Sequence, residues 1–258
     1  MSNARKLRIL LLLLVLLFVA LDAWLTKFRT TSWERTLWVY VYPLAFDDSD
    51  VTRRYVEHLQ RASFGPIEAF LRREGRAYGV AIDPPVHVER GRTLEELPPL
   101  PPRSGNPFGV GWWSLKLRWW AHRMEAGQLG PRGDVRLFVI YHDPARQPAL
   151  EHSLGLQKGL VGVVHAFASA RMAGSNNVII AHELLHTLGA TDKYDLATGL
   201  PSFPIGYAEP DRQPLHPQEL AELMAGRIPL SARQAEIPES LAEVRIGPAS
   251  ALEIGWVR

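Results

Sequence analysis

Two histidines stand four residues apart in the stretch AHELLHTLGATDKYD, Ala181 to Asp195, and a glutamate directly follows the first. Few patterns constrain a chain more. Val178, Ile179, Leu184, Leu185 and Leu188 have the spacing of a helix that buries one side, and the sequence predicts a helix from about Asn177 to Leu188, capped by Ser175 or Asn176. On such a helix His182 and His186 leave the same face. Glu183 lies one step round, within reach of a water beside a metal without being a ligand itself. Gly189 falls where the helix would end and tolerates positive φ, so the chain can turn back. Asp192 then arrives three residues later as an oxygen donor. The pattern predicts an open three-ligand site, His182, His186 and Asp192, with Glu183 as general base. The bland alternative is a buried helix whose histidines bond to backbone groups.

Composition decides which metal chemistry is available. The chain of 258 residues contains no cysteine, so thiolate ligands and disulfides are both excluded, and any zinc must be held by His, Asp or Glu. Its 47% hydrophobic and 22% charged residues are those of a folded protein with one well-cored domain. A net charge of +2, with no basic cluster interleaved with aromatics as a reading face, gives no case for nucleic acid as a partner.

The first residues read as a membrane segment. Arg5, Lys6 and Arg8 precede an unbroken apolar run from Ile9 to Leu21, which Trp24 and Leu25 extend past Asp22. The expected division is a signal-anchor or transmembrane segment over 1–28 and a catalytic domain over 29–258, facing the periplasm or cell exterior. The alternative is a cleaved signal peptide and a secreted protein, although no small-x-small cleavage site is evident.

Beyond it, strands and helices alternate. LWVYVYPLAF, PVHVE, DVRLFVIYHDP and LVGVVHAFAS read as strands, and DDSDVTRRYVEHLQRAS and PIEAFLRREG as helices, the first with Val51, Tyr55 and Leu59 on one side. LPPLPPRSGNP reads as a surface loop within one domain. In FGVGWWSLKLRWWAHRMEAG, Trp112 and Trp119 lie seven apart, as do Trp113 and Trp120. The four form a broad stripe that packs on a sheet or, alternatively, meets a membrane surface with Lys116 and Arg118. Short helices are expected near HPQELAELMAG and GPASALEIGW. His142, His152 and His165 read as structural. Asp195 and His216 are spare donors, Asp195 more naturally capping a turn.

HELLHTLGATD resembles the metzincin pattern H-E-x-x-H-x-x-G-x-x-H/D in its aspartate variant, which snapalysin-like secreted bacterial proteases share. The resemblance covers the motif helix, its turn and a downstream methionine, and the first 130 residues do not align. It implies an α+β, zincin-like mixed sheet with an active-site helix, here preceded by the transmembrane helix. It also implies a methionine turn beneath the metal, for which ELMAGRIP with Met224 is the candidate. An edge strand should hold an extended peptide substrate, and GLVGVVHAF is the candidate there. No tyrosine follows Met224 by two, so the oxyanion-stabilising group is unassigned, Tyr194 and Tyr207 being available. A competing zincin layout takes a later glutamate, Glu209, Glu219 or Glu222, as third ligand. The function implied is a membrane-anchored zinc metallopeptidase. The alternatives are a non-catalytic, zinc-stabilised surface binding module and a zinc amidase acting on cell-wall peptides.

Overall fold

The computed structural model describes residues 5, 7–14, 16, 17, 21, 31–102, 106–126, 133–150, 153–156 and 160–257. A five-stranded sheet organises it. Its strands are β1 (Leu37–Ala45), β2 (Val86–Arg90), β3 (Val135–His142), β4 (Leu154–Leu156) and β5 (Val161–Phe167), in the order β2-β1-β3-β5-β4. All neighbours are parallel except β4, which runs antiparallel to β5 at the edge.

Parallel strands covered on both faces need apolar residues at every position, and VYVY in β1 and LFVIY in β3 supply them. Successive side chains then serve different cores. Val39, Val41, Leu137 and Val139 join the core under α1 (Asp50–His58), α2 (Gly65–Ala77) and α4 (Ala173–Leu188). Tyr40, Tyr42, Phe138 and Ile140 join a second core under α3 (Pro107–Glu125). Phe138 is enclosed there, stacked on Tyr42 at 5.3 Å and edge-on to Trp120 at 4.6 Å.

After α4 the chain has little regular structure. It forms the short pairs β6 (Ala221–Glu222) with β9 (Val244–Arg245) and β7 (Ile228–Ser231) with β8 (Gln234–Glu236), then the helix α5 (Pro248–Glu253). The last turn packs on the residues just before β1: Trp33 donates from Nε1 to Ile254 O at 2.7 Å and meets Trp256 edge-on.

Several expectations need correction. The fold class is α+β with a mostly parallel central sheet, but no helix among the described residues is long and apolar enough to cross a membrane, so the expected N-terminal transmembrane helix is not seen. The described residues before Thr31 are helical and exposed, and the rest of that segment lies outside the described residues. The unbroken apolar run of the sequence, Ile9 to Leu21, has thirteen residues, fewer than the roughly 20 that a span of the hydrocarbon core takes. GLVGVVHAF is not an edge strand, because β4 occupies the side of β5 away from β3. HPQELAELMAG is not a helix but a run of bends that leads into β6 and then a turn at Leu223–Ala225. Pro214 and Pro217 remove two amide donors and push the preceding residues out of the helical region. In α1, Val51 is exposed, and Thr52 and Val56 face the core instead. His152 lies outside the described residues.

The four tryptophans divide. Neighbours on a helix are about 100° apart, so no single face can bury all four. Trp113 and Trp120 face the sheet, while Trp112 and Trp119 are 60% and 63% exposed. Trp120→Ala should therefore cost about 3–5 kcal/mol in urea unfolding, whereas Trp119→Ala should change stability by less than about 1 kcal/mol. Equal losses for the two would contradict this division.

Candidate metal centre

Helix α4 starts at Ala173, four residues before the expected start, and Met172 rather than Ser175 or Asn176 is its N-cap residue. Asn176 has another task. Its Oδ1 accepts from Phe167 N at 3.1 Å and its Nδ2 donates to Phe167 O at 2.8 Å, pinning the helix to the end of β5. Asn177 donates to Ser63 O at 3.0 Å. The helix ends as expected, at Leu188, and Gly189 takes φ 108°, a left-handed conformation that turns the chain back.

That reversal brings Asp192 to the two histidines. The His182 and His186 Nε2 atoms are 3.0 Å apart, and Asp192 Oδ1 lies 3.3 Å from the first and 3.1 Å from the second. Among the described residues these three form the only cluster of histidine and carboxylate groups able to hold a metal ion. Their other ring atoms fix their chemistry. His182 Nδ1 is 2.9 Å from Leu223 O, and His186 Nδ1 is 2.9 Å from Ala190 O. A carbonyl only accepts, so each Nδ1 carries a proton, and each ring turns its Nε2 toward the other and toward Asp192.

Three such atoms facing one another at 3.0–3.3 Å repel unless protons or a metal cation lie among them. Bonds of about 2.0–2.1 Å to one tetrahedral ion place ligand atoms about 3.3 Å apart, so the donor set fits a zinc-like ion. Glu183 adds a second sign. It is buried, and its Oε2 has no hydrogen-bond partner among the described residues.

The electrostatics are those of a strongly coupled site. Burial raises the Glu183 carboxyl above its ordinary range, with His182 and His186 opposing the rise and Asp192 adding to it. Partial burial also works to raise Asp192, but hydrogen bonds from His182 and His186 outweigh it and hold that carboxyl far below the usual range. Burial lowers His186, yet Asp192 and Glu183 overcome it and leave the imidazole above its ordinary 6.5. Tyr194 lies beside the cluster; burial first, then the negative charges of Asp192 and Glu183, raises its phenol.

Two supports escaped the sequence reading. Lys193, buried directly after the exposed Thr191 and Asp192, gives Nζ to Thr191 O at 2.8 Å, Thr191 Oγ1 at 2.7 Å and Glu253 Oε2 at 2.7 Å, anchoring the loop of Asp192 to α5. Glu222 is buried with three donors: Ala225 N at 2.9 Å, Gly247 N at 3.0 Å and Ser250 Oγ at 2.7 Å. It closes the turn that carries Leu223 and Met224. That turn touches both ligand segments, through His182 Nδ1 on Leu223 O and Lys193 N on Met224 O at 2.9 Å. Met224 itself is fully buried in the core. The distant partners, Glu253 for Lys193 and Gly247 and Ser250 for Glu222, lie 25 to 60 residues away, and no local signal marks them.

The other candidates stand apart. Glu209 and Glu219 pair with Arg212. His216 meets Tyr207 Oη at 3.1 Å. Asp195 accepts from Ala197 and Thr198, capping a turn. His142 Nε2 and His165 Nδ1 are 2.8 Å apart, buried at the sheet.

Comparison of the chain with protein-family models and with curated proteins finds no match.

The purified chain should bind one divalent transition-metal ion, and Asp192→Ala should lose it, while Glu209→Ala and Glu219→Ala keep it. Metal analysis after gel filtration reads this directly, and loss from Glu209→Ala or Glu219→Ala would restore the later-glutamate layout. A proton held by His186 above its ordinary value must leave before metal enters. Affinity should therefore be full above that raised value and fall as pH drops through it, about tenfold per unit for each proton displaced. A pH-independent affinity in titration calorimetry would refute the donor set.

Proposed function

We propose that the protein is a zinc-dependent peptidase that hydrolyses peptide bonds, with His182, His186 and Asp192 as metal ligands and Glu183 as general base. One observation carries the reading: three converging acceptor atoms with a buried, unpartnered carboxylate oxygen beside them. The likeness of HELLHTLGATD to the metzincin pattern supports it. The donor set of two imidazoles and one carboxylate favours zinc over hard ions, which prefer all-oxygen shells. A structural zinc site is closed by four protein ligands, whereas three is the number of an open, catalytic one.

A zinc ion held there supplies Lewis acidity, acidifying water toward a pKa of about 7 and polarising a carbonyl. The remaining work belongs to the chain. Glu183 Oε2 accepts the proton of the attacking water and passes it to the departing amine nitrogen, so that one water and one amide yield a carboxylic acid and an amine. Burial raises the affinity of Glu183 for that proton, which suits a group that must hold it between the two transfers. Leu223 O and Ala190 O keep the imidazoles from rotating.

The substrate is an extended peptide. β5 is enclosed between β3 and β4, so among the described residues the sheet edge on that side belongs to β4, at Leu154–Leu156. A peptide adds there as a further strand, bound through its own backbone.

Glu183→Gln should retain the metal, because Glu183 is not among the ligands, and should lower peptide cleavage about 10²–10⁴-fold. Cleavage of a peptide library by wild type and variant, with metal content measured on the same samples, tests both halves. Wild-type rates in the variant would end the mechanism. A metal-replete wild type that cleaves no peptide would favour a non-catalytic binding module.

A further inference from the structure

We propose that the outer face of α3 docks on an anionic lipid surface. Phe108, Trp112, Leu115 and Trp119 follow the spacing i, i+4, i+7, i+11, which is one stripe along a helix. They are 88%, 60%, 51% and 63% exposed, on the side of α3 turned away from the sheet. Isolated exposed apolar residues are ordinary, but a contiguous aromatic stripe marks a surface that something covers.

Charge identifies the occupant. From Leu97 to Met124 the chain has four basic residues, Arg103, Lys116, Arg118 and Arg123, and no acidic one, although the whole protein is almost balanced with 29 basic and 27 acidic side chains. The one acid of α3, Glu125, is half-buried and bonded to Arg136 at 3.2 Å. Two of the cations lie along the stripe itself. Lys116 Nζ sits 5.6 Å from the Trp112 ring and Arg123 Cζ 5.0 Å from the Trp119 ring, Arg123 also pairing with Glu96. Indoles alternating with cations suit the boundary between acyl chains and headgroups: the rings enter the apolar layer, and the cations meet lipid phosphates.

The stripe runs along a single helix. Docked through it, the protein would keep α4 and the metal cluster on the far side of the sheet, because α3 and α4 pack on opposite sheet faces. The inference is independent of the peptidase reading, since no residue of the stripe belongs to the cluster.

The absence of cysteine makes a local test clean. A nitroxide is attached to full-length Leu115→Cys and, as a control, to Arg233→Cys on an exposed turn between β7 and β8. Collision with oxygen and with a water-soluble nickel chelate is then measured by spin resonance. On phosphatidylcholine vesicles with about 30% phosphatidylglycerol, the label at 115 should gain oxygen collisions and lose nickel collisions, while the label at 233 stays in water. Uncharged phosphatidylcholine should give weaker contact, and adding Lys116→Glu with Arg123→Glu should abolish it. A label at 115 that stays in water while the chain cosediments with anionic vesicles overturns the proposal, as does equal insertion into uncharged lipid. Spin–spin broadening at 115 without lipid also overturns it, because the stripe would then cover a second copy of the chain.

Discussion

The hydrogen bond between His182 Nδ1 and the carbonyl of Leu223 joins the two halves of this protein at the point where its chemistry would occur. One partner stands on α4, which the parallel sheet holds in place. The other belongs to a turn in the irregular C-terminal segment. With Ala190 O doing the same for His186, both rings have one tautomer and one orientation, and both aim Nε2 at Asp192. Without these carbonyls either ring nitrogen could carry the proton and the rings could turn, and the donor set would not be preorganised.

The two halves contribute differently. The N-terminal half is a platform. β1 and β3 are apolar along nearly their whole length because both of their faces are covered, and α4 is clamped to the end of β5 by Asn176. The C-terminal half builds no large sheet and relies on buried polar groups instead. Glu222 would be costly in an apolar environment, but three donors satisfy its carboxylate and in doing so set the turn of Leu223 and Met224. Lys193 is satisfied in the same way by Thr191 and Glu253, and it steadies the loop that delivers Asp192. Ligand geometry thus depends on polar clamps tens of residues apart in sequence.

The sheet also separates two surfaces. One face carries the helix with the ligands. The other carries α3, whose inner side fills a core with Leu117 and Trp120 and whose outer side leaves Trp112 and Trp119 in solvent. Aromatic residues at adjacent positions on a helix cannot share one environment, so a doubled tryptophan pair necessarily serves both.

Sequence alone determined what local spacing determines. Two histidines at i, i+4, the stop at Gly189 and the return of Asp192 are consequences of helix geometry within eleven residues, and the structure brings those three side chains together. Strands such as VYVY and LFVIY were legible because burial on both faces demands continuous apolar residues. Tertiary structure decided the rest. Which strand forms the sheet edge depends on β4, three residues too few to announce themselves. Proline placement overrode the helical pattern near Met224. The leucine run at the start suggested a membrane span, but no helix among the described residues is long and apolar enough to cross one. The contacts of Lys193 with Glu253 and of Glu222 with Gly247 and Ser250 were invisible beforehand, because no local period encodes a partner 25 to 60 residues away.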